Sequence, residues 1–127
     1  MKFTKALSAA LLLGSAVATP DGKFTVDPVD RVMRDADDRH VIFHGVNVVY
    51  KVDPYLPGTK TFDAQTSLDD EDIDNLVKWG FNFVRLGVMW EGVEIADGVY
   101  NEKYLSDVND LVTRLGEKGI YTLIDSH

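Results

Sequence analysis

Three apolar runs recur at intervals of about 40 residues, and helical periodicity fills the gaps between them, which is the length of a βαβ unit. The runs are His44–Lys51, Phe81–Val88 and Ile120–Ile124, with Phe43, Phe83 and Thr122 at equivalent positions. In the first gap Ile73, Leu76 and Val77 share one helical face; in the second Leu105, Val108, Leu111, Val112 and Leu115 do. Right-handed crossovers make strands joined in this way parallel. The order strand, helix, strand, helix, strand therefore predicts an α/β sheet.

The middle run sets the terms for function. Phe81, Phe83, Val84, Leu86 and Val88 are apolar enough to be covered on both faces of a sheet, yet Arg85 sits among them. A guanidinium in such a run needs a partner. It is either half of a structural ion pair or part of a site at the C-terminal rim, where parallel sheets keep their ligands. Gly87 and Gly92 are expected to turn the chain, with Trp90 and Glu91 between them.

Local signals fix the other elements. Phe24 to Phe43 reads as a small hairpin, with strands at Arg31–Arg34 and His40–Phe43 and a turn at Asp35–Asp38. His40 and His44 flank a strand and need no ligand role. Gly45 predicts a close backbone approach. The stretch Val52 to Thr66 reads as a long polar loop. Ser67-Leu68-Asp69-Asp70 predicts a capping box, Trp79 a packing residue and Gly80 a helix stop. Asn101 would cap the second helix and Lys118-Gly119 would end it. A loop is expected from Arg85 to Asn101.

Each run ends in polar residues: Asn47 and Lys51, then Arg85, then Asp125 with His127. Packing alone does not explain polar groups gathered on one rim. A doubly wound nucleotide-binding sheet would want a glycine-rich turn after its first strand. Gly45-Val46-Asn47 and its long loop supply none. A TIM barrel, with its site on long βα loops, fits better, though a whole one needs about 250 residues.

Composition narrows the partners. The chain is 45% hydrophobic and 27% charged with a formal charge of −8, which argues against nucleic acid and anionic membrane. It has no cysteine, and its three histidines lack zinc spacing, so no metal and no cofactor is expected. Lys2 and Lys5, the apolar stretch Ala6 to Val17 and the Ala16-Val17-Ala18 site read as a signal peptide over residues 1–18. The expected product is secreted or lumenal, starts at Thr19 and has no transmembrane segment.

Four motifs carry a resemblance. They are Gly45-x-Asn47-x-x-x-Lys51, Val84-Arg85-Leu86-Gly87-Val88-Met89-Trp90-x-Gly92-Val93-Glu94, Tyr100-Asn101-x-x-Tyr104-Leu105 and Leu123-Ile124-Asp125-x-His127. In order and spacing the chain resembles glycoside hydrolase family 5, and within it the endoglycoceramidases and related glucosylceramidases. The resemblance implies the N-terminal part of a TIM (β/α)8 barrel, about three strands and two helices over residues 19–127. It also implies a retaining β-glycosidase with two catalytic glutamates. Those glutamates follow the fourth and seventh strands of such barrels, beyond His127. Glu91 and Glu94 do not match their motifs and read as a solvated residue and a loop-shaping residue.

By similarity Arg85 supports the nucleophile carboxylate. His127 and Lys51 would hydrogen-bond sugar hydroxyls, Asn47 and Asp125 would help hold the rim, and Trp90 would stack on a sugar or pack the loop. The implied partner is a β-glycoside, either glycolipid or oligosaccharide. Two alternatives stand beside a glycosphingolipid hydrolase: a cellulase- or glucanase-type enzyme, and a non-catalytic truncated homologue that binds sugar weakly.

Overall fold

The structure, a computed structural model, describes residues 24–127. The segment read as a signal peptide lies outside these residues. Its centre is a parallel three-stranded sheet in the order β3 (Gly45–Val48), β4 (Phe83–Val88), β7 (Tyr121–Ser126). Helix α1 (Asp70–Lys78) joins β3 to β4 and helix α3 (Glu102–Glu117) joins β4 to β7. This is the predicted alternation as an open α/β piece; the described residues close no barrel.

The register differs from the one read from spacing. Phe83 pairs with Gly45 on one side and Tyr121 on the other, so Phe43 and Thr122 are not its equivalents. The interval of about 40 residues misplaced them because the spacing of apolar runs does not set the register of pairing.

The covered face of the sheet carries Val46, Val84 and Leu86. Val84 and Leu86 are fully buried against Ile73 and Leu76 of α1 and Leu111 and Leu115 of α3. Contrary to expectation, β4 is covered on this one face only among the described residues. Its other face presents Phe83, Arg85 and Gly87, in register with Gly45 and Asn47 and with Tyr121, Leu123 and Asp125. Gly45 lies there because a side chain cannot: a Cβ would sit 1.8 Å from the Phe83 carbonyl oxygen.

Both helices start where carboxylate and amide caps satisfy free backbone N–H groups. The α1 cap is Asp69, whose Oδ1 accepts from Asp72 N at 3.0 Å while Asp72 Oδ2 accepts from Asp69 N at 3.1 Å. The box thus lies two residues beyond the predicted Ser67 start, and Ser67 Oγ donates to Asp72 Oδ2. Asn101 caps α3 as predicted, accepting from Tyr104 N at 3.1 Å. Gly80 and Gly119 follow the helices with φ of 82° and 78°, a left-handed stop that glycine adopts at no steric cost.

The remaining elements correct several expectations. Trp79 is 64% exposed rather than packed into the core. The N-terminal strand β2 (Met33–Arg34) pairs with β1 (Thr25–Val26), and only an isolated bridge links Arg34 to His40. The expected loop after Arg85 is instead the rest of β4, a short helix α2 (Trp90–Val93) and a hairpin of β5 (Glu94–Ala96) and β6 (Val99–Tyr100). Glu94 shapes that hairpin, accepting from Gly98 N at 2.7 Å. Glu91 is exposed.

Below the sheet, at the N-terminal ends of its strands, four rings meet. Phe24 lies 4.5 Å from Tyr121, and Phe43 lies 4.6 Å from Phe83. No helix among the described residues is long and apolar enough to cross a membrane.

Candidate active site

Arg85 is the third residue of β4, mid-strand rather than at its end. Asn47 stands opposite it on β3 and Leu123 on β7. Asp125 lies two residues beyond Leu123, so the pleat returns its side chain to the face of Arg85. The two meet: Arg85 Nη2 contacts Asp125 Oδ2. The same oxygen lies 2.6 Å from His127 Nε2. Oδ2 is closed to solvent and has no aligned hydrogen bond; the Arg85 guanidinium is its charged neighbour, and the His127 ring lies alongside. Opposite charge at such range offsets the cost of taking the carboxylate out of water.

Backbone bonds hold the same corner. His127 N donates to Val88 O at 3.1 Å, and Trp90 N donates to His127 O at 2.9 Å. The end of β7 is thereby fastened to the end of β4 and to the first turn of α2. Gly87 does not turn the chain: it lies inside β4, where a Cβ would meet Val49 at 3.0 Å. Gly92 lies under the Tyr104 ring, which a Cβ would meet at 2.8 Å. Both glycines serve close approach, not a bend.

The predicted site residues fall into two groups. Asn47, Arg85 and Asp125 share one face of the sheet, and His127 meets Asp125 at its end. Lys51 is exposed just past β3 and has no ion pair among the described residues; Trp90 is 57% exposed at the start of α2. A groove of about 820 Å³ holds none of the six. It runs between the Tyr50–Thr61 loop and α3, lined among others by Leu56, Lys103, Asp110 and Arg114. Size alone is a poor guide here, since open space beside charged helix surfaces carries no convergent chemistry.

Tyr104 stands in the third motif but receives no role from the sequence. Its hydroxyl accepts from Met89 N and donates to Tyr55 O, each at 3.2 Å, tying α3 to the end of β4 and to the loop after β3. Burial raises the pKa of its phenol, against the lowering effect of the Met89 N–H. A tyrosine three residues past the Asn101 cap was the available signal, because that position faces inward from the first turn.

The loop from Val52 to Thr66 is ordered from within. Leu56 is buried in the core, Gly58 N donates to Thr66 O, and Leu68 N donates to Gly58 O. Asp63 accepts from Thr66 Oγ1 and from Gln65 N and Thr66 N, and these bonds, the hydroxyl's foremost, lower its pKa.

Comparison with known proteins gives this geometry a setting. The chain is 39% identical over 103 residues to an endoglycoceramidase of Cyanea nozakii, covering 81% of this chain and 20% of that protein. It is 38% identical over 110 residues to endoglycoceramidase I of Rhodococcus hoagii, covering 87% and 21%. Among solved structures it resembles endo-glycoceramidase II from Rhodococcus sp. with a TM-score of 0.59 and 29% identity, over 72% of this chain and 20% of that one. The chain thus spans about a fifth of the length of these relatives. Family and structural neighbours alike imply the TIM-barrel fold. Residues 36–127 match the cellulase model, glycosyl hydrolase family 5, and the chain belongs to that family.

Proposed function

We propose that residues 24–127 form the first three strands and two helices of a retaining β-glycosidase that acts on glycosphingolipids. The observation that carries this reading is the meeting of Arg85, Asp125 and His127 on one sheet end, with Asn47 alongside. In this reading Arg85 lies beneath a nucleophile glutamate from a later strand and stabilises its ionised form by charge and hydrogen bonding. His127 and Lys51 bind sugar hydroxyls, Asn47 and Asp125 hold the rim, and Trp90 offers a ring for stacking. The relatives' names, endoglycoceramidase above all, support glycolipid over polysaccharide.

The test is a completed enzyme. Residues 24–127 replace the matching stretch of the Rhodococcus hoagii endoglycoceramidase I, and the product is assayed on a fluorescent glycosylceramide, a cello-oligosaccharide and an aryl β-glucoside. Turnover of the glycosylceramide is expected. Arg85→Ala should lower it about 100- to 1000-fold, the range for removing a donor aimed at developing charge, with the unfolding midpoint little changed. A completed enzyme that prefers the cello-oligosaccharide would sink the glycolipid reading. Near wild-type turnover in the Arg85 variant would sink the role given to that residue.

A further inference from the structure

At the start of β4 the main chain runs short of partners for the chain entering β3. Helix α1 closes just before it, and its stop uses the N–H groups there: Gly80 N donates to Val77 O at 2.9 Å and Phe81 N to Leu76 O at 3.0 Å. Asn82 supplies the missing unit from its side chain. Its Oδ1 accepts from His44 N at 2.8 Å and its Nδ2 donates to Ile42 O at 2.9 Å. A primary amide carries the acceptor and the donor of a peptide group on one short stem, so it can stand in for one. The main chain of Asn82 pairs on both sides: its N–H donates to His44 O and its carbonyl accepts from Tyr121 N, each at 2.9 Å.

Phe43 lies between the two clamped residues. Its ring touches the three other rings below the sheet, with centroids at 4.6 Å from Phe83, 5.1 Å from Phe24 and 5.8 Å from Tyr121. Phe83 and Arg85 stand two residues apart on β4 and so share a face. The rings therefore floor the face that presents Arg85. A guanidinium with apolar rings beneath it is less screened by water than one open on every side.

We infer that Asn82 is a positioning residue: its side-chain amide clamps the chain at Ile42 and His44, seats Phe43 on Phe83 and so closes the floor beneath Arg85. The clamp stands on the hydrogen bonds alone; its effect on turnover rests on the function proposed above.

Hydrogen exchange resolved to single amides, measured on the completed enzyme, tests the clamp. Asn82→Leu is close in size but has neither donor nor acceptor. The His44 amide should exchange about fivefold to tenfold faster in it than in the wild type, the scale of one hydrogen bond. Tyr121 is the control, because its amide bonds to the main-chain carbonyl that any residue at position 82 supplies, and it should keep its protection. Asn82→Asp keeps an acceptor for His44 N but offers Ile42 O no donor, so His44 should exchange at an intermediate rate. Turnover tests the link to Arg85. Asn82→Leu should lower kcat about tenfold to a hundredfold, the scale on which small misplacements act, with KM little changed, since Arg85 supports the nucleophile and not the sugar. Asn82→Asp should recover part of the loss. A merely structural role would lower the unfolding midpoint and leave kcat per folded molecule as it was. Equal exchange at His44 in the wild type and Asn82→Leu overturns the clamp. So does loss of protection at Tyr121 in both variants, which would make Asn82 a residue of the fold at large. Faster exchange at His44 with unchanged kcat overturns the link to Arg85. An inactive completed enzyme in which His44 exchanges at the expected rates overturns the glycosidase reading and leaves the clamp standing.

Discussion

At the scale of single residues, chemistry that is local in sequence was legible and chemistry that crosses strands was not. Gly45 announced a close approach because glycine inside an apolar strand has few other uses, and the Phe83 carbonyl fills the space a Cβ would need. Arg85 announced a partner because a guanidinium among Phe83, Val84 and Leu86 needs one. Its partner could not be named from spacing, since the pairing depends on a β4–β7 register that sets Gly87, not Arg85, opposite Asp125. The role of Tyr104 went unread for the same reason: its two hydrogen bonds reach elements that neither precede nor follow α3 directly. Tyr104→Phe leaves the N–H of buried Met89 without its acceptor and the Tyr55 carbonyl without a donor. In the completed enzyme the substitution should cost about 1–3 kcal/mol, the desolvation penalty of an orphaned buried group, read as a lower denaturant midpoint at constant slope. No shift in midpoint would mean that water replaces the phenol.

Among elements, length decided what could be read. The two long helices and the three sheet strands gave several turns or alternations each, enough for their periods to emerge. The paired strands of the two hairpins are two or three residues long, below any period, so β1, β5 and β6 left no trace in the apolar pattern. The loop after β3 was foreseen as long but not as ordered, because its order comes from Leu56 reaching the core and from Asp63 gathering its neighbours' donors. That second device titrates. Asp63 has a folded pKa below its ordinary value, chiefly through the Thr66 hydroxyl and then the Gln65 and Thr66 amides. Its contribution to the loop is therefore complete above the ordinary aspartate range and is lost as pH falls through the lowered value. The amide shifts of Gln65 and Thr66 should inflect below the pH at which a free aspartate titrates. An inflection at or above that pH would show that Asp63 does not hold the loop.

For the whole molecule, the alternation of strands and helices was legible, and the open edges follow from it. Among the described residues, strands β3 and β7 each have one neighbour, and Ile42, Leu123 and Ile124 are between 49% and 80% exposed. Unpaired edges beside bare apolar surface favour association over a stable monomer. Expressed with its N-terminal segment, the chain should be recovered outside the cell with Thr19 first by intact mass. That 109-residue product, counted from Thr19 to His127, should show no cooperative thermal transition by circular dichroism and no turnover of an aryl β-glucoside. A sharp transition would show that the three-stranded piece is self-sufficient. Turnover would place the catalytic carboxylates within this chain.

The ring of Phe24 rests on that of Tyr121, nearly the full described length away in sequence, and Phe43 bridges the same two rings. A ribosome adds residues at about 5–20 per second, so Phe24 emerges on the order of seconds before the tyrosine it packs against. During that interval the hairpin that carries Phe24 has no finished sheet end to rest on. Contacts between distant residues also form late because they close the largest loops. The nascent chain thus displays Phe24 without its Tyr121 partner until β7 is made, which is the window in which a holdase would find it.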